Sequence, residues 1–326
     1  MDLDVADNFG SLRCLDEEEE AAAPRVQPVE AQPAGDAASA AAAPLLMVAQ
    51  AILDAQGNRP TYANFARPPA ENPFDDPLLA VLRRAAAAAT ATQLEPRSFF
   101  VAWSGVLVLA YDGFTPPLAS IKRALNESAL PLCRESFGSK WPKTTLGAVA
   151  DDAPPLTAAQ LAALKALCLR HSQAFTGCAV PVRTASLVSY SWRGLEQLTA
   201  RDDCVMDAAA ATPEPPTDEE RSRVSGVLAE WDDVDAYLAP ANQPGSRAST
   251  YRHASPTGRT VVCFLDAAAA PSPAAPPAAV PAALPTTALL GKVAMFQAEV
   301  DALLPGRYVW LAPASLHVTL RAADAA

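Results

Sequence analysis

Proline decides where this chain can fold. Thirty-one of its 326 residues are Pro, against 14 Gly. A proline inside a helix removes a backbone donor and clashes with the preceding turn, and inside a sheet it interrupts the ladder. Regular structure is therefore confined to the stretches between proline clusters. Two tracts suit no element at all. Residues 1–43 hold the acidic run 17–20 and then an Ala/Pro/Gln/Asp mixture without apolar period, and residues 267–285 are almost entirely Ala and Pro. Neither can bury enough apolar surface to offset chain entropy, so the first is expected to be disordered and the second an exposed loop. Half of the residues are hydrophobic by type, but much of that is Ala and only 6% are aromatic, so the core is smaller than the composition suggests.

Between the breaks, periodicity marks the elements. Short helices are expected from Pro44 and from Pro77, the latter behind Asp75 and Asp76, which can cap it. Residues 106–111 read as a buried strand. Residues 116–125 read as a helix with Leu118, Ile121 and Leu125 on one face, and 141–149 as a strand with proline at its edge. The clearest helix starts at Thr157, which forms a capping box with Gln160 and repeats Leu161, Leu164, Leu167 and Cys168 at helical spacing. Residues 180–192 are strand-like, and a helix with acids in its first turn opens at Thr217. A second unit follows: a strand at 260–265, a helix with Val293, Phe296, Val300 and Leu303 on one face, an extended segment at 308–311 and a strand at 315–321. The order points to an α+β or α/β sandwich, and the repeated β-α-β units make α+β the expected class. The expected domains are 1–98, largely disordered; 99–201, α+β; 202–258, a connecting segment; and 259–326, a β-α-β unit whose terminal strand joins the sheet of the middle domain and brings His317 near Lys143.

Charge and cysteine content exclude several functions. The net charge is −11. Only residues 99–201 carry a positive excess, with 10 basic and 6 acidic side chains. That excess can attract a phosphate but is too small for duplex DNA. The longest apolar stretch, 99–111, is 13 residues, short of the ~20 a membrane span needs. The acidic start lacks the features of a signal or transit peptide, so the expected location is intracellular, in the cytoplasm. The six cysteines include no C-x-x-C pair, and no cofactor or metal is expected. The acids Asp232, Asp233 and Asp235 lack the glycine and terminal Glu of a calcium loop and read as a solvated face. No G-x-S-x-G and no phosphate-cradling glycine loop occurs. His171 ends the strongest helix and His253 precedes a turn, so both read as structural or surface residues.

On the last strand His317 and Thr319 point to one face. An imidazole beside a hydroxyl can grip a phosphate and move a proton near neutral pH. Lys143-Thr-Thr145-Leu146 occupies the same place in the first unit as His317-Val-Thr319-Leu320 in the second. The run from the Pro-Gly306 turn through Trp310 and Pro313 to Leu316-His317-Val-Thr319-Leu320, behind a strand and a helix, resembles the two-histidine phosphoesterase superfamily of 2′,5′ RNA ligase-like and cyclic phosphodiesterase-like proteins. The resemblance covers about 260–322, with a weaker echo over 106–195. It implies a bilobal α+β fold and a metal-independent phosphodiesterase. In that family two His-x-Thr/Ser motifs supply a base and an acid to a 2′,3′-cyclic or related phosphodiester.

One H-x-T motif is present here, and Lys143 stands where the other His would. The resemblance assigns catalysis to His317 and Thr319 and substrate binding to Lys143, Thr145 and Arg321, with RNA or a cyclic nucleotide phosphate as partner. Lys140, Trp141, Lys143, Arg183, Tyr190, Trp192 and Arg193 add a basic and aromatic set suited to single-stranded RNA. The incomplete motif pair equally suits a non-catalytic binding or scaffold protein.

Overall fold

The computed structural model describes residues 76–133, 135, 140–207, 214–252, 258–265 and 286–323. The tract 1–43, the helix expected from Pro44, the loop at 267–285 and His253 lie outside the described residues. The architecture is α+β, built on antiparallel sheets.

Helix α1 (Pro77–Ala87) is capped by Asp76, whose Oδ1 accepts from the N–H groups of Leu78 and Leu79. Short strand β1 (Thr92–Leu94) pairs with β5 (Val180–Val182). Strands β2 (Pro96–Val101), β3 (Leu107–Tyr111) and β4 (Lys143–Val149) form three of the four members of one sheet, with α2 (Pro116–Asn126) between β3 and β4. The capping box expected at Thr157 and Gln160 opens α3 (Ala158–Ser172). The run expected at 180–192 divides into β5 and β6 (Thr184–Tyr190), and β6 pairs with β7 (Leu198–Val205). Helices α4 (Asp218–Ala229), α5 (Val234–Ala241) and α6 (Ala248–Arg252) follow. The chain ends with β8 (Gly258–Phe264), α7 (Thr286–Leu303), β9 (Tyr308–Trp310) and β10 (His317–Ala322).

The two four-stranded sheets run β2-β3-β4-β9 and β10-β8-β6-β7. Each is completed by strands from far along the chain, so the divisions expected at 98, 201 and 258 are not edges of separate packed bodies. Helix α1 packs on β6 and β7, and its Leu78, Leu79, Leu82 and Ala86 belong to the main core. The terminal strand β10 pairs with β8 and reaches β6 only through it, while β9 is the strand that joins β4. A helix that directly joins neighbouring strands makes them parallel. Here β3 and β4 are antiparallel, as are β8 and β10, so neither pair is a simple β-α-β crossover.

Aromatic packing ties the sheets to their helices. On one face of the first sheet Phe99 of β2 stacks on Phe296 of α7, ring centroids 3.9 Å apart and 6° from parallel, and Phe175 packs against Phe99 at 4.9 Å. On the other face Phe100 meets Trp231 edge-on at 4.7 Å, and the Tyr237 hydroxyl donates to the Val101 carbonyl. Among the described residues no helix is long and apolar enough to cross a membrane. Phe296 is fully buried, so Phe296→Ala is expected to destabilise the fold by about 3–5 kcal/mol. Urea unfolding followed by both fluorescence and circular dichroism checks this. The two probes should shift together, because the same ring pins α7 to the first sheet.

Candidate functional site

The two motifs come to lie on neighbouring strands of different sheets. β9 pairs with Gly147–Val149 of β4, and one further bond runs from the Leu311 N–H to the Leu146 carbonyl, so β9 does not extend along Lys143 to Thr145. β10 is an edge strand of the second sheet and packs against β4. The alternation along each strand is the same. Lys143 and Thr145 are half-buried, with Thr144 and Leu146 buried between and beyond them; His317 and Thr319 are half-buried, with Val318 and Leu320 buried.

The resemblance between the two units extends to the backbone register. Lys143, Thr144 and Thr145 stand opposite Ala110, Leu109 and Val108, and the register then shifts so that Gly147 faces Leu107 and Leu146 has no partner. His317, Val318 and Thr319 stand opposite Phe264, Cys263 and Val262, and the register shifts so that Arg321 faces Val261 and Leu320 has no partner. A bulge falls at the Leu of K-T-T-L and at the Leu of H-V-T-L. Bulges re-aim the side chains beside them.

The side chains inside and outside the motif faces behave differently. The hydroxyl of Thr144 lies 2.9 Å from that of Tyr111, a bond made wholly within the core. Thr145 and Thr319 spend their hydroxyls on no other side chain or carbonyl among the described residues. His317 Nδ1 is 2.7 Å from the Ser315 carbonyl. A carbonyl only accepts, so Nδ1 carries the proton and Nε2 keeps its lone pair. The imidazole sits edge-on to Phe264, at 6.1 Å between centroids, and Phe264 is covered by the Arg201 guanidinium at 4.5 Å. Arg201 is in turn held by Asp203, which also accepts from Ser186.

Burial pushes His317 down to about 4, against a smaller upward pull from its bond to Ser315. Burial likewise brings Lys143 down to about 7, assisted by the positive charges of Arg193 and Lys122. The Lys143 ammonium lies 4.4 Å from the centroid of the Trp141 ring. At neutral pH the site thus holds an uncharged imidazole with a fixed tautomer and an amine near the midpoint of its titration.

The other expected residues fall elsewhere. Arg321 is buried, and its guanidinium donates to Asn126 Oδ1 at 2.7 Å and to the carbonyls of Cys133 and Ala322. Each of its three nitrogens has a partner, and the bonds to Asn126 and Cys133 tie β10 to α2 and the segment after it. His171 Nε2 lies 3.0 Å from Glu299 Oε1 without hydrogen-bond geometry, and its ring meets Phe99 and Phe296 edge-on. Asp233 caps α5, and Asp232 pairs with Lys165. No group of His, Cys, Asp and Glu able to hold a metal occurs among the described residues. Of the basic and aromatic set, Trp141 and Tyr190 are buried, and Lys140, Arg183 and Arg193 are exposed. Lys122 of α2 was not singled out by sequence reasoning, although it stands near both motifs. Its signal was legible: with Leu118, Ile121 and Leu125 it falls at i, i+3, i+4 and i+7, a lysine inside the apolar stripe.

No family model, curated protein or solved structure compared with the chain matches it.

The lowered pKa of His317 makes a stability prediction. The folded state binds fewer protons here than the unfolded one between about 4 and the ordinary value of about 6.5, so stability is lost as pH falls through that window. His317→Gln removes the titration. The wild-type curve of unfolding free energy against pH should bend downward below pH 6.5 relative to the variant's, at up to about 1.4 kcal/mol per unit of displacement. Parallel curves would show that the imidazole is not held neutral.

Proposed function

We propose that the seam between β4 and β10 binds a phosphodiester and hydrolyses it without a metal, with a 2′,3′-cyclic nucleotide or an RNA end as the substrate class. The observation that carries this reading is the common bulge: K-x-T and H-x-T have the same register, the same shift and the same alternation, on strands that pack together. This supports the likeness to the two-histidine phosphoesterases in a form where a lysine replaces one histidine.

The roles follow from the chemistry of the groups. His317 Nε2, unprotonated, takes a proton from the attacking water as its oxygen bonds to phosphorus. The P–O bond to the ribose oxygen breaks, and that oxygen receives a proton from the Lys143 ammonium. The charges reset by exchange with solvent. Thr145 and Thr319 donate their hydroxyls to the non-bridging oxygens. An ammonium with an ordinary pKa of about 10.4 is a poor acid at neutral pH, whereas one at about 7 is matched to the task. A bound phosphate raises the pKa of both groups, which makes substrate binding take up protons.

A second reading, a phosphate-binding module without turnover, is favoured by the replacement of a histidine by Lys143. The experiment that separates the two compares 2′,3′-cyclic AMP with bis(p-nitrophenyl) phosphate, whose leaving group needs no protonation. His317→Ala is expected to lose about 10²–10⁴-fold in kcat on both substrates. Lys143→Met should lose a similar factor on the cyclic nucleotide and under about tenfold on the nitrophenyl ester. Phosphate binding without turnover of either ester establishes the binding module instead.

A further inference from the structure

The two strand-helix-strand units brace each other at their bulges, and one brace is a lysine that the reaction above does not use. The Leu146 carbonyl accepts from the main-chain N–H of Leu311 at 2.9 Å, a continuation of the ladder by which the second unit's β9 pairs with β4. The Leu320 carbonyl, in the same position of the other motif, accepts from Lys122 Nζ at 2.8 Å, from the first unit's helix. We propose that Lys122 is a positioning residue for the phosphodiester site: its ammonium, anchored by Glu135, holds the bulge at Leu320 and through it the aim of Thr319 and His317.

The surroundings of Lys122 fit that role. Its side chain is 12% exposed, and its ammonium is 2.5 Å from Glu135 Oε1 and 4.7 Å from the centroid of the Phe114 ring. A solvent-facing lysine on an amphipathic helix has no need of such a cage, and burying an ammonium is costly unless it is paired and hydrogen-bonded. The bond it makes is to a bulge carbonyl, one residue after Thr319 and three after His317. A main-chain donor serves the equivalent carbonyl in the first unit. The side-chain donor in the second is therefore an addition that one substitution can remove without rewriting the backbone. The charged groups around Lys122 are Glu135, Arg321 on β10 and Glu220 on α4. Those around Lys143 include Arg193 and Lys122 itself, while β10 and α6, packed on β4, add His317, Arg321 and the Arg252–Glu196 pair. Lys122 thus touches one motif through a hydrogen bond and the other through its charge.

The inference rests on the reading of the seam as a phosphodiester site, and the test has one arm that does not use turnover. In the full-length chain, Lys122→Met, Lys122→Arg and Glu135→Gln are compared with wild type. NMR titrations follow the His317 ring nitrogens and the Lys143 ammonium, and kcat and KM are measured on 2′,3′-cyclic AMP. Lys122→Met is expected to move the His317 pKa up toward the ordinary value and to raise that of Lys143. It should lower kcat by about 10²-fold with KM held within about threefold, the signature of misaimed groups. Lys122→Arg, which keeps a cationic donor, should recover most of the loss. A folded Lys122→Met with wild-type His317 titration and wild-type kcat overturns the inference. If that variant does not fold, Glu135→Gln, which removes the anchor of the ammonium and leaves its charge uncompensated, should lower the Lys143 pKa further and reduce kcat, and an unchanged Lys143 titration with wild-type kcat there overturns it equally. Absence of turnover in wild type removes the phosphodiesterase reading alone; the His317 titration then still decides for or against Lys122.

Discussion

Two main-chain carbonyls, those of Leu146 and Leu320, hold the arrangement together. Each belongs to a residue that a register shift leaves without a partner on one neighbouring strand, β3 for Leu146 and β8 for Leu320. An unsatisfied carbonyl in a buried position costs about 1–3 kcal/mol, so each must find a donor elsewhere. For Leu146 the donor is Leu311, next in register beyond β9 of the same sheet; for Leu320 it is Lys122 of α2. Lys122 thus ties the edge strand β10 to a helix of the first unit, beside the interior strand β4, with which β10 packs but shares no ladder. The half-buried Lys143 and Thr145 stand on one of these packed strands and His317 and Thr319 on the other.

That placement explains the electrostatics. A lysine on an open strand edge would be an ordinary solvated cation. Between two sheets it is desolvated, and Arg193 and Lys122 add like charge, so its proton is held weakly. The same burial removes the charge of His317, and the Ser315 carbonyl selects which ring nitrogen carries the proton.

The elements were largely legible because their signals are local. The proline at the start of α2, the capping box of α3 and the apolar stripe of α7 each depend on residues within a few positions of one another. The bounds of β3, β4, α2 and α3 fall within a few residues of those expected. The placement of Arg321, by contrast, is not local. On an unbroken strand it shares a face with His317 and Thr319, and only the bulge at Leu320, which no local pattern announces, turns it away toward Asn126 and Cys133. Lys122 was passed over because a lysine on a helix is usually solvated, and its place in the apolar stripe acquires meaning only once β10 lies beside it.

The sequence alone establishes the identity of the elements, the likeness between K-T-T-L and H-V-T-L, and the alternation that puts each pair of site residues on one face, because period-two geometry and proline placement act over short distances. It does not say which strands become neighbours. β9 joins the first sheet and β8 and β10 the second, a division that separates adjacent stretches of chain and joins distant ones. That choice is made by the burial of Phe99 against Phe296, by α1 closing over β6 and β7, and by the bonds that satisfy the two bulges. These are all contacts between residues far apart in sequence, whose energies appear only when the whole core closes at once.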